Sequence, residues 1–127
     1  MNINISEATE CQIDWLVANC ENALDDLHHQ WFEDHPDEDE NPLPRATNEF
    51  DNPDEFFPST DGRQCGFIVR RQRISVIAME SDNSWMASCK SLSSYTRTGY
   101  GPTPEMAAMR AYLLAQVGDV VVVPENL

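Results

Sequence analysis

The chain is short of positive charge: Lys and Arg number 8 against 22 Asp and Glu, for a formal charge of −14. Nucleic acids and anionic membranes are bound through Lys and Arg meeting phosphate, so direct binding to either is not expected. The imbalance leaves a basic protein as the candidate partner, or a cation. Long apolar runs are also missing. Without a stretch of about 18 apolar residues, no transmembrane helix is expected. The first ten residues, MNINISEATE, have no basic stretch followed by an apolar one, so the expectation is a chain without a secretory signal.

Cysteine is present but unpatterned. Cys11, Cys20, Cys65 and Cys89 show no CxxC spacing, which removes the zinc-knuckle and redox readings. In a reducing compartment they are expected as thiols, mostly in the core. The histidines, His28, His29 and His35, match no HExxH motif. The acids around them do not form an EF-hand loop, which needs Gly at its sixth position. No cofactor and no dedicated metal site is expected.

What remains fits one domain: 127 residues, 41% of them hydrophobic, can bury a core. Ile13, Leu16, Val17, Cys20, Leu24 and Leu27 recur at steps of three and four, which predicts a helix with Ser6 as its N-cap. Asp14, Glu21, Asp25 and Asp26 are placed on its polar side. The helix ends near Asn22 or runs to His29. Residues 33–63 hold Pro36, Pro42, Pro44, Pro53 and Pro58 among many acids, and read as an irregular segment pinned by Phe50, Phe56 and Phe57.

Alternation in RISVIAM (73–79) and WMASCK (85–90), with turn-forming ESDNS between, predicts a β-hairpin. CGFIV (65–69) is either a further strand or a buried loop. TPEMAAMRAYLLAQVG (103–118) carries the signals of a helix: Thr103 as cap, Pro104 at the first position, a Met106–Met109–Leu113–Val117 stripe and Gly118 at the end. DVVVVP then reads as a short final strand. The order is that of an α+β domain with antiparallel strands and helices on one face.

Four stretches, IDWLVANCE, PSTDGRQCGFIVRRQRIS, SWMAS and GPTPEMAAMRAYLLAQVGDVVVVPENL, together resemble the NinX-like family of small phage and prophage proteins. The resemblance covers most of the chain outside residues 22–55. It picks out Asp14, Trp15, Ser59, Thr60, Asp61, Gly66, Ile68, Trp85, Thr103, Pro104, Ala107, Ala108, Met109 and Arg110. Gly62 stands where the family often has Trp, Cys65 where it has Gly, and Arg70 where an acid is common. The resemblance brings no activity with it. It implies a phage-derived accessory protein inside the bacterial host cell, hence in the cytoplasm.

Each candidate site has a plain reading beside the functional one. Arg110 is an anion clamp, or a structural guanidinium paired with Asp14 or Asp61. Ser59 beside Asp61 suggests a nucleophile, but a hydrolase also needs a base and an oxyanion hole, so a turn is the better account of STDG. RRQR (70–73) reads as internally paired or as a solvated corner. Trp15, Trp31 and Trp85 read as core anchors, with Trp31 partly exposed beside Phe32. The cluster Glu33, Asp34, Asp37, Glu38, Asp39 and Glu40 is the candidate interaction surface. Its carboxylates offer a DNA-like row of charge to a basic protein, and the alternative is a solvated loop. An interaction module, a small enzyme using Ser59 and Asp61, and a purely structural domain are the three functions that the sequence leaves open.

Overall fold

A computed structural model describes residues 1–39, 56–91 and 95–127; within the first helix the side chains of residues 24–28 are not described. The sequence expectations that rest on Leu24, Leu27, Glu40, Pro42, Pro44, Phe50 and Pro53 lie outside that description. The elements run β1 (Asn2–Asn4), a 3-10 turn (Ile5–Glu7), α1 (Glu10–Asp34), α2 (Gly62–Gln72), β2 (Ser75–Ala78), β3 (Trp85–Lys90), β4 (Thr96–Gly101), α3 (Pro104–Val117) and β5 (Val120–Val122). This is the expected α+β arrangement: small antiparallel sheets, with an N-terminal helix and a C-terminal helix followed by a strand.

α1 starts later than expected. Ser6 sits in the 3-10 turn, and Thr9 is the cap. The Thr9 hydroxyl accepts from the Gln12 amide at 3.3 Å, while the Gln12 side chain accepts from the Thr9 amide at 2.9 Å. This reciprocal pair satisfies two of the donors that a helix start leaves open. The helix passes both expected ends and reaches Asp34, so Glu33 and Asp34 belong to its last turn. At about 1.5 Å per residue it spans about 37 Å. Its contributions to the core, Ile13, Leu16 and Val17, come from the first half alone among the described side chains.

The second half of the chain is built on a three-stranded sheet of order β2-β3-β4. The predicted hairpin is present, with Ile77 facing Met86 and Val76 facing Ala87. Asp82 makes its turn: the carboxylate accepts from the Ser84 amide at 3.1 Å, and Asn83 takes a φ of 59°. A third strand, β4, adds on the far side of β3. α3 has the caps predicted for it, with the Met106 amide donating to the Thr103 hydroxyl at 3.2 Å and Gly118 at a φ of 89°. Met106, Met109 and Leu113 are buried as expected, while Val117 is exposed. β5 pairs antiparallel with β1, aligning Ile3 with Val121.

α3 lies directly against β4, and glycine makes that possible. A Cβ at Gly99 would stand 2.4 Å from the Ala111 nitrogen and 2.7 Å from the Ala107 oxygen. One at Gly101 would stand 2.8 Å from the Ala107 nitrogen. Helix backbone and strand backbone touch where a side chain would otherwise keep them apart. Ala107, Ala108 and Ala111 supply the matching small surface, and all three are fully buried.

CGFIV is neither strand nor loop but the middle of α2, capped by Asp61. The expected irregular segment is therefore narrower, since α1 takes its first residues and α2 its last. Cys65 and Cys89 are buried thiols as expected and Cys20 is half-buried, but Cys11 is exposed on α1. All four are free.

The glycines divide into two kinds, which gives a direct test. Gly99→Ala forces a Cβ into helix backbone and should cost about 3 kcal/mol. Gly66 lies inside α2 with nothing within 4 Å of a new Cβ. Gly66→Ala should stabilise by about 0.5–1 kcal/mol, because alanine orders more readily in a helix. Urea unfolding of the two variants checks both signs.

Candidate functional site

The motif PSTDGRQ folds into a turn that flows into the start of α2. The Phe57 carbonyl accepts from the Thr60 amide at 3.1 Å and the Asp61 amide at 2.8 Å. Asp61 then caps α2, its carboxylate accepting from the Arg63 and Gln64 amides at 2.9 and 3.0 Å. The Gln64 side chain returns to accept from the Phe57 amide. The turn reading of STDG is thus the observed one, with the Thr60 amide and the Asp61 amide and carboxylate spent on local backbone.

Asp14 of α1 ties this turn to the body. Its carboxylate accepts from the Ser59 amide at 2.9 Å. Ser59 is 1% exposed, and its hydroxyl lies near the same carboxylate without closing a well-formed hydrogen bond. A serine so enclosed has no open path to a substrate. His29 and His35 stand 15 and 21 residues along from Asp14, about 22 Å or more on a straight helix, so neither serves Ser59 as a base.

Seven residues after Asp14, two helical turns along the same face, Glu21 pairs with Arg71 of α2. The guanidinium donates two hydrogen bonds, at 2.9 and 2.8 Å, and Glu21 is 4% exposed. Glu21 was expected on the polar side; in fact Asp14 and Glu21 face the turn and α2. For RRQR, internal pairing holds at Arg71, whose guanidinium also lies over the Phe67 ring, 5.9 Å from its centroid. The Tyr112 hydroxyl of α3 sits in the same interior, its pKa pushed well up by burial and then by the Glu21 and Cys20 charges.

Arg110 is structural, but not through the acids expected for it. It donates to the Tyr100 carbonyl at 2.7 Å and the Ala8 carbonyl at 2.9 Å, joining α3, β4 and the segment before α1. Trp15 and Trp85 are partly buried against the core, as anchors. Trp31 is not one: it stacks on His35 at 4.3 Å and meets the Phe32 edge at 5.3 Å. The Cys65 and Cys20 thiols are poor nucleophiles, since burial pushes Cys65 up to about 12 and half-buried Cys20 up to about 11.

The acidic candidates lie at the other end of α1. Glu33, Asp34, Asp37, Glu38 and Asp39 are all exposed, and among the described residues none of the five joins an ion pair. His35 closes the helix there, its Nδ1–H donating to the Trp31 carbonyl at 2.9 Å. Among the described residues no group of three His, Cys, Asp or Glu is arranged to hold a metal. No described helix is long and apolar enough to cross a membrane. The structure therefore brings together Asp14, Ser59, Thr60 and Asp61 as a clasp, and leaves the acidic group as a separate exposed surface.

Two variants of Asp14 separate its charge from its hydrogen bond. Burial raises its pKa above the ordinary 3.8, opposed by the Ser59 amide. A raised folded-state pKa means stability that is full below the unfolded value and lost as pH rises through the folded one. Asp14→Asn keeps an acceptor and cannot ionise, so its melting temperature should gain on the wild type as pH climbs above about 4. Asp14→Ala leaves the buried Ser59 amide without an acceptor and should cost about 1–3 kcal/mol. Breaking the ion pair with Glu21→Ala should cost more, about 3–5 kcal/mol, because Arg71 then loses its buried carboxylate. Melts of the three variants from pH 3 to pH 8 check these outcomes.

Residues 4–116 match the family described as bacteriophage P22, NinX. No curated protein matches the chain. The matched span takes in all of α1, the clasp, α2, the three-stranded sheet and nearly all of α3, with every one of the motif positions from Asp14 to Arg110. On that extent of agreement, the chain belongs to the phage P22 NinX family.

Proposed function

We propose that this phage-family protein is an interaction module that acts in the bacterial cytoplasm and presents its acidic surface to a basic protein. The observation that carries the reading is the state of Glu33, Asp34, Asp37, Glu38 and Asp39: all are exposed, and none is ion-paired among the described residues. Some of the other carboxylates are spent within the fold. Asp14, Glu21, Asp61 and Asp119 each hold an amide or a guanidinium. Carboxylates concentrated at one end and left unneutralised repel one another, and a cationic surface relieves that repulsion. A protein built to bind phosphate rows is the partner class whose chemistry fits, and a DNA-mimic role would follow from occupying such a surface.

The family motif supports this reading indirectly. Ser59 and Asp61, the residues an enzyme would have used, are committed to the turn and the helix cap. A domain whose acidity serves only solubility is the competing account.

Replacing Asp37, Glu38, Asp39 and Glu40 by Asn or Gln separates the two. The variant should melt at or slightly above the wild-type temperature, since like charges close together in the sequence are removed. Capture of basic proteins from a bacterial lysate on the immobilised chain should fall about ten- to a hundredfold, at roughly 0.5 kcal/mol per exposed charge. It should also weaken as salt is raised. Unchanged capture would leave the solubility account in possession.

A further inference from the structure

α1 ends against its own electrostatics. Its last turn holds Glu33 and Asp34 and no basic residue, although the carbonyl end of a helix favours cations. Asp37, Glu38 and Asp39 follow directly, and all five acids are exposed. Pro36 cannot continue the helix, and it disfavours the helical conformation at His35, which takes φ −130° and ψ 63°. His35 is the residue left to close the end.

It does so with both its backbone and its ring. The His35 amide donates to the Trp31 and Phe32 carbonyls at 3.0 and 3.3 Å. Its Nδ1–H donates to the same Trp31 carbonyl at 2.9 Å. The imidazole lies flat on the Trp31 indole, with centroids 4.3 Å apart and planes 13° from parallel. A carbonyl partner requires the proton on Nδ1, so Nε2 is the nitrogen that gains or loses one. The residue is exposed, so solvent reaches it.

We propose that His35 is a proton-operated cap that sets whether the last turn of α1 stays wound. Histidine is the side chain that ordinarily changes charge between pH 5 and 8. A proton on Nε2 makes the ring a cation without breaking the Nδ1–H bond. That cation faces the carbonyl end of the helix and the indole ring, and its hydrogen bond becomes charge-assisted. The charged groups near it in the sequence are all acids: Glu33 and Asp34 on the helix, Asp37, Glu38 and Asp39 beyond. Asp34 also accepts from the Gln30 side chain at 3.3 Å. Among the described residues, His35 takes its bonds and its ring contact from α1 and from the Glu38 amide alone.

The sign follows from which form the helix favours. A group stabilised while charged supports the fold at the acid end of its range, and the support is lost as pH rises through it. Above that range Glu33 and Asp34 stand uncompensated at the negative end of a helix. The cap therefore controls whether these two acids are held on a rigid turn or join the chain beyond. The inference concerns the helix end alone and does not rest on a basic partner.

Backbone carbon chemical shifts of the labelled full chain at pH 5.5 and pH 8 test it, since carboxylates ordinarily stay ionised at both. The helical shifts of Trp31, Phe32 and Glu33 should fall at pH 8, as for a helix-to-coil ratio about two- to fivefold lower. The Trp31 indole resonance should move together with the His35 ring. His35→Gln should give the pH 8 pattern at both values, and His35→Arg should stay wound at both. His29→Gln should keep the wild-type response. Identical wild-type shifts at the two pH values overturn the proposal. So does a response that survives in His35→Gln or disappears in His29→Gln.

Discussion

The contact between α3 and β4 is the constraint on which the rest of the structure depends. Gly99 and Gly101 remove two side chains, and Ala107, Ala108 and Ala111 present a helix face small enough to fill the space. Once the backbones touch, one side of the sheet is closed by α3, and Met106, Met109 and Leu113 are held where the remaining elements can cover them. Arg110 reinforces the join at the end of β4, bonding the Tyr100 carbonyl between the two glycines and reaching across to Ala8. Its pKa is lowered by burial, and among the described residues carbonyl oxygens, not an acid, hold the guanidinium.

Upon that platform α1 does two different things along its length. Its first half is a core element with a polar edge. Asp14 secures the turn at Ser59, and Glu21 secures α2 at Arg71, so one helix face holds both the turn and α2 in place. Buried ion pairs often stabilise less than apolar residues of the same size would, because both charges must leave water. What such a pair adds is a definite placement for α2, whose own apolar face is short. The second half of α1 carries its exposed acids away from this interior. One chain thus uses carboxylates as internal fasteners at one end of a helix and as free surface at the other, and only the second kind is available to a partner.

Much of this was legible from residue order, and the failures have physical causes. The hairpin, α3 with both caps, and the final strand all announce themselves through period and turn chemistry. β4 does not, because TRTGYG has glycine at the two positions that face the helix, where an alternating strand would show apolar side chains. α2 was missed for a related reason. Its glycines and arginines dilute the helical pattern of GRQCGFIVRRQ, although Asp61 before Gly62 is a plain cap signal in retrospect. The true start of α1 was also readable, since Thr9 and Gln12 have the spacing of a capping box. Glu21 and Arg71 could not have been matched: they are fifty residues apart, and nothing local marks a carboxylate as destined for the interior. Of the motif residues, Asp14, Ser59, Thr60 and Asp61 build the clasp, while Arg110 ties α3 to β4. Of the acidic group, Glu33 and Asp34 were expected in an irregular segment but close α1 as helix.

The central claim is that the carboxylates at the end of α1, and not the clasp, meet the partner. Carbodiimide labelling of side-chain carboxylates, read by mass spectrometry on the free chain and on the chain bound to a captured basic protein, tests it most directly. The account predicts that Glu33, Asp34, Asp37, Glu38 and Asp39 lose reactivity in the complex, while the labelling of Asp61 and Asp119 stays as in the free chain. Unaltered labelling at the five acids, with loss of reactivity at Asp61 instead, would contradict it.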